Sequence, residues 1–243
     1  MRSYNLFVVD NFPEAERFTT NPQMETTQTP LTTEFFRTGN MGEFVTYSVS
    51  HMTKVRLRGQ AYSMQNPIDD VSERVEFDGF LHSDRHLLLL CFAKRECREA
   101  TKRLKKLETA TVAVPYRVNL KDLATEFRTI HSSHFRDVQE PFVSSTAIFG
   151  SGVHQSEWYQ RLQSISTQSA IATDVVRNDG AQRVMITSEG GVVFFRPTST
   201  MNELGIILQL RPMLETHRVQ DASTAEDEGG ISPAVTDLLS FLE

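Results

Sequence analysis

Four consecutive leucines, Leu87-Leu88-Leu89-Leu90, constrain the fold of this chain more than any other feature. Side chains along a strand alternate between faces, so a strand that is apolar at every position has to be covered on both. The run therefore reads as a central strand of a sheet. Its flanks agree. Residues 75–81 and 86–92 border the polar turn His82-Ser83-Asp84-Arg85 as the arms of an antiparallel hairpin. Residues 93–107 follow with helical period, and 111–114 form a short strand ending at Pro115.

Similar patterning recurs along the chain. Residues 4–9, 43–49 and 54–58 read as strands, and 120–130 as a helix. The segment 19–33, with seven threonines and two prolines, has no apolar period and reads as an exposed loop. After Glu140-Pro141 come a strand at 145–149, a turn at Gly150-Ser151-Gly152 and a helix at 156–165 carrying the only tryptophan, Trp158. Residues 170–177, 183–187 and 192–196 make a three-stranded meander, turned by Asn178-Asp179-Gly180 and Glu189-Gly190-Gly191. A helix from Thr200 is expected to end near 210, before Pro212.

The expectation is an α+β chain with mixed, mainly antiparallel sheets, helices packed on one face, and two similar hairpin–helix halves at 74–107 and 183–214. The expected units are an N-terminal α+β domain at 1–140, a C-terminal one at 141–214, and an acidic tail at 215–243 with a short amphipathic end.

Charge sharpens this outline. The 243 residues carry 25 Lys+Arg against 31 Asp+Glu, for a net charge of −6. From Glu215 to Glu243 there are seven acids and one base, so the tail holds the whole deficit and residues 1–214 are neutral. No stretch approaches the ~18 apolar residues of a membrane-spanning helix. The start, Met1-Arg2-Ser3-Tyr4-Asn5, lacks the apolar region of a signal peptide, and Cys91 and Cys97 read as reduced thiols. The expected location is intracellular, in the cytoplasm, nucleoid or nucleus, with no membrane partner.

Within the neutral part, one helix stands out. Projected at 100° per residue, Ala93, Cys97, Ala100, Leu104 and Leu107 make a core face about 80° wide. Lys94, Arg95, Arg98, Lys102, Lys105 and Lys106 spread over about 120° of the other side. Residues 94–106 contain seven bases and two acids, Glu96 and Glu99. Like charges at i,i+4 repel, as in Lys94/Arg98, Arg98/Lys102 and Lys102/Lys106, unless something anionic neutralises them. Nucleic acid, with DNA favoured, is the leading expected partner, and Lys54, Arg56 and Arg58 would extend the patch. The alternatives are a plainly solvated helix, the chain's own acidic tail, or an acidic protein surface, as in a non-enzymatic assembly or adaptor subunit that docks protein partners through the basic helix and the acidic C-terminal tail.

The hairpin and basic helix together carry a resemblance. Val75-Glu-Phe-Asp78-Gly-Phe-Leu, a turn, Leu87-Leu-Leu-Leu-Cys-Phe92-Ala-Lys94 and the helix resemble the core of the PD-(D/E)XK nucleases. That family places an Asp on one hairpin strand and Glu-x-Lys at the end of the next, so that two carboxylates hold a divalent cation and the lysine serves the attacking water. Asp78 and Lys94 match, while Phe92 stands where the family has an acid. The resemblance implies a nuclease-like core without catalysis and without a cofactor. Its active alternative is an endonuclease using Mg²⁺, with Asp78, Lys94 and a relocated Glu76 or Glu96.

Other constellations read as structural. The spacing of His82, His86, Cys91 and Cys97 matches no zinc motif, and Gly150-Ser151-Gly152 lacks the lysine of a phosphate-binding loop. His131-Ser132-Ser133-His134 is placed just after a helix end, where the dipole favours histidine.

Overall fold

In a computed structural model of the chain, the four leucines lie in a strand with neighbours on both sides, each at 2% exposure or less. The structure describes residues 1–20, 31–55, 71–105, 107, 111–177 and 180–219. The first strands are β1 (Arg2–Asp10), β2 (Arg17–Thr20), β3 (Thr33–Met41), β4 (Phe44–Val55), β5 (Val71–His82) and β6 (Leu87–Cys91). Next come α1 (Lys94–Leu104), β7 (Val112–Pro115), α2 (Leu120–Leu123), β8 (Ile130–Glu140) and β9 (Val143–Phe149). The chain continues through α3 (Glu157–Ile165), β10 (Thr167–Arg177), β11 (Gly180–Thr187), β12 (Gly191–Phe194) and α4 (Thr200–Thr216).

All twelve strands among the described residues join one sheet in the order β2-β3-β4-β5-β6-β1-β12-β11-β10-β8-β9, with β7 also paired to β1 and every described pairing antiparallel. β1 is the hinge of this order. Residues 2–5 pair with β12 on one side, residues 5–8 pair with β6 on the other, and residues 7–10 pair with β7. Strands from both expected domains thus share one sheet, and the expected boundary after Glu140 falls in the turn of the β8–β9 hairpin.

The helices cover opposite faces, not one. Alternation along β1 sends Phe7 and Val9 to one side, where they meet Leu88, Leu90, Val49 and Phe77 and are capped by Cys97, Ala100 and Leu104 of α1. Tyr4 and Leu6 go to the other side with Leu87, Leu89, Val192 and Phe194, under Leu204, Ile207, Leu210 and Leu214 of α4. Each fully buried leucine of β6 contributes about 1.5–3 kcal/mol, two against each layer. α2 and α3 join the α4 side through Leu120, Leu123, Tyr159 and Leu162. α4 is tied to β1 by the buried Glu203, which accepts from Tyr4 Oη at 2.8 Å and from the Thr198 amide at 2.7 Å, and pairs with Arg2 at 2.9 Å.

Several local expectations are corrected. The segments 43–49 and 54–58 belong to one long strand, β4, or lie outside the described residues. The two ends of the threonine-rich segment are strand, not loop. Thr20 and Thr33 are buried and pair across β2–β3, with their hydroxyl and backbone groups bonded to each other, and 21–30 lie outside the described residues. The expected helix at 120–130 is a four-residue turn capped by Asn119 and a short 3-10 turn at Ala124–Glu126. His131 and His134 then sit in β8, because Ser133 and Phe135 alternate into the core. α4 runs through Pro212 to Thr216. Leu210 and Leu214 are both buried, and Arg211 bonds Asp84 at 2.5 Å and Glu215 at 2.6 Å, which offsets the backbone bond that proline cannot make. Residues 215–219 also belong to the fold: Val219 donates to the Arg117 carbonyl and Asn119 to that of His217. The rest of the acidic tail, with its amphipathic end, lies outside the described residues.

One buried group makes the fold sensitive to acid. His51 of β4 is fully buried under α1, its Nδ1 2.8 Å from Thr33 Oγ1 and 3.2 Å from Arg103 Nη1. Burial, and then the Arg103 charge, push its pKa down to about 4. Below the ordinary value of about 6.5 the unfolded chain takes up a proton that the folded ring refuses, so stability is lost as pH falls through that window. Urea unfolding should show wild type losing about 2 kcal/mol more than His51→Gln between pH 7 and pH 5. Equal losses would show that His51 does not carry this penalty.

Candidate anion-binding site

α1 is placed by its core face, and that placement sorts its bases. Arg103 turns inward and donates to the carbonyls of Met52 at 2.8 Å and Thr32 at 3.0 Å, binding the last turn to the β3–β4 layer. Arg95 pairs along the helix with Glu99 at 3.2 Å. Lys102 and Lys105 are exposed, and Lys106 lies outside the described residues. Lys94 and Arg98, one turn apart, face the β11–β12 turn and both bond Glu189, Arg98 at 2.8 Å.

Glu189 is held firmly in place. Its turn is pinned by bonds from Leu6 N to Gly190 O, Val118 N to Ser188 O, and Gly191 N to Thr187 Oγ1, all 2.8–2.9 Å. Gly190 adopts φ +77, and a Cβ there would stand 2.3 Å from the Tyr116 carbonyl oxygen, so only glycine fits. Arg136 of β8 approaches the same carboxylate, 3.6 Å from its other oxygen. Beside it opens a cavity of about 430 Å³ lined by Arg117, Lys121, Arg136, Gln168, Ser188 and Glu189.

Positive charge exceeds negative in this cluster. Burial first, then the charges of Arg98 and Arg136, push the Lys94 ammonium down to about 8. Burial, with Arg117 and Arg136 next, lowers the Arg98 guanidinium as well. Three bases share one carboxylate and two more line the adjoining cavity, an arrangement that favours a second anion. Guanidinium groups suit phosphate oxygens in particular, because their paired donors match its geometry.

The other expected site residues are dispersed. Asp78 is exposed on the α4 side of the sheet, opposite Ser48 and Cys91, since its neighbours Phe77 and Gly79 face the α1 side. Glu76 shares that side and pairs with Arg74 at 3.5 Å. Lys94 and Glu96 belong to α1 on the opposite side, so strand alternation separates the residues that the nuclease resemblance brings together. Lys54 alternates to the α4 side, away from the basic helix, and Arg56 and Arg58 lie outside the described residues. Among the described residues, no three His, Cys, Asp or Glu side chains form a group that could hold a metal ion. Cys97 is buried under α1, and burial pushes its thiol up to about 12. No described helix is long and apolar enough to cross a membrane.

The bases contributed by Arg117, Lys121 and Arg136, and the carboxylate of Glu189, were not among the expected site residues. They lie outside the basic run and are brought to it by the pairing of β7 with β1 and of β8 through β10, β11 and β12 with β1, so no local spacing could have flagged them. No protein-family model matches the chain, and no curated protein matches it.

Replacing Glu189 tests the excess charge. In low-salt buffer Glu189→Gln should lose about 1–2 kcal/mol, since three bases lose their partner in a partly exposed setting. Added inorganic phosphate should restore more stability to the variant than to wild type, measured by thermal unfolding. Phosphate that stabilises neither protein would mean that the cluster holds no anion beyond Glu189.

Proposed function

We propose that the chain binds nucleic acid, DNA favoured, through α1 and the cluster that Lys94 and Arg98 form with Arg136, Arg117 and Lys121, and that its core performs no nuclease reaction. The observation that carries this reading is the sharing of Glu189 by three bases at the mouth of a cavity lined by two more. A phosphate entering the cavity meets converging donors and can take over partners now held by Glu189. Lys102 and Lys105, exposed further along α1, extend the positive track. Such contacts are to the backbone of the nucleic acid, so affinity is set by phosphates and not by base sequence.

The endonuclease alternative draws no support from the separation of Asp78 and Glu76 from Lys94 across the sheet. A divalent cation of this kind needs converging oxygen ligands.

Fluorescence anisotropy with labelled DNA at fixed low salt tests the proposal. Arg98→Glu/Arg136→Glu should weaken binding about 100-fold, and the milder Arg98→Gln/Arg136→Gln pair about tenfold, from the loss of two charge-assisted contacts. Thermal unfolding of each variant establishes that it is folded. Unchanged affinity in a folded Arg98→Glu/Arg136→Glu protein would refute the site.

A further inference from the structure

On the α1 side, the half of the sheet from β8 to β12 carries no helix among the described residues, because α2, α3 and α4 all pack on the opposite side. This bare face holds a groove of about 770 Å³. Its floor is small, with Ser132, Ala172 and Ala181, and at its margins stand two exposed phenylalanines, Phe149 at 72% and Phe195 at 42% exposure. Phe149 is opposite Ser132 at the end of β9, and Phe195 follows β12 on the far side. Apolar rings are not left in water on an open sheet without a cost, and small residues between them leave room for flat groups to lie on the sheet.

The groove is also basic. Arg183 and Arg196 line it, and its carboxylate, Asp174, is already shared: Arg183 Nε donates at 2.9 Å and His131 Nε2 lies at 2.7 Å. The Asp174–Arg183–His131 set fixes the guanidinium at the groove, where it offers charge. From Arg183, β11 runs about 13 Å at ~3.3 Å per residue to Thr187, two residues before Glu189, so the strand leads from the groove toward the edge where Lys94, Arg98 and Arg136 meet that carboxylate.

Resting on the nucleic-acid reading above, we infer that this face binds single-stranded nucleic acid, with bases stacked on Phe149 and Phe195 and the backbone running from Arg183 and Arg196 to the Lys94–Arg98–Arg136 cluster. Exposed bases need aromatic platforms and a basic track, and the face supplies both; a duplex, whose bases are already stacked, has no use for the rings. The excess of bases along the face argues for a polyanion over a second copy of the chain, whose matching face would bring like charges together.

The test compares a fluorescein-labelled oligothymidylate with a duplex of equal length. Wild type should prefer the single strand. Phe149→Ala and Phe195→Ala should each weaken single-strand binding roughly tenfold and leave duplex binding unchanged, while Phe149→Tyr keeps wild-type affinity. Photocrosslinking to an oligonucleotide containing 5-iodouracil should mark the peptides holding Phe149 or Phe195. Equal binding of both probes, indifferent to the phenylalanines but lost in Arg98→Glu/Arg136→Glu, would overturn the stacking face and leave the polyanion reading standing. Binding of neither probe would overturn both. A wild-type dimer in light scattering that Phe149→Ala converts to a monomer, with single-strand affinity intact, would assign the face to self-association and overturn the inference.

Discussion

Two-sided burial of β6 and β1 is the constraint on which the rest depends. A strand apolar at every position needs a layer on each side, and the chain supplies α1 for one and α4 for the other. β1 then stands between the β5–β6 hairpin on one side and the β11–β12 hairpin on the other. Because each helix covers mainly its own side, part of each face is left open. The groove lies on the open surface beside α1, and the anion cluster lies at its edge, where Lys94 and Arg98 meet the β11–β12 turn.

This also accounts for the charge pattern. α1 is amphipathic because it covers the core with Cys97, Ala100 and Leu104, and its like-charged neighbours are tolerable because they are not alike in environment. Arg103 is bonded inside the fold, Arg95 is paired with Glu99, and Lys94 and Arg98 converge on Glu189. Repulsion on a flat projection becomes, in three dimensions, a division of labour between holding the helix down and forming a site.

What could be read from sequence follows the range of the interactions involved. The β5–β6 hairpin, α1 and the β10–β12 meander were legible because their signals are local: alternation, helical period and turn residues. The failures are non-local. Local spacing places His131 and His134 just after a helix end, whereas pairing with β10 draws them into β8. Pro212 reads locally as a stop, yet burial of Leu214 carries α4 past it. The basic face of α1 is legible as a charge pattern, but the approach of Arg136 and Glu189 to it is not, since only the sheet order brings them together. Asp78 and Lys94 look adjacent in a hairpin–helix string, and alternation puts them on opposite sides.

The central claim is that phosphates dock among the bases around Glu189. The salt dependence of binding measures this most directly, because each phosphate contact releases counterions. For single-stranded DNA, the logarithm of the association constant should fall against the logarithm of salt concentration with a slope of about −3, as expected for four contacts at ~0.7 each. In Arg98→Glu/Arg136→Glu the slope should be about half as steep. A slope near zero, or one that the charge reversals leave unchanged, would contradict the account.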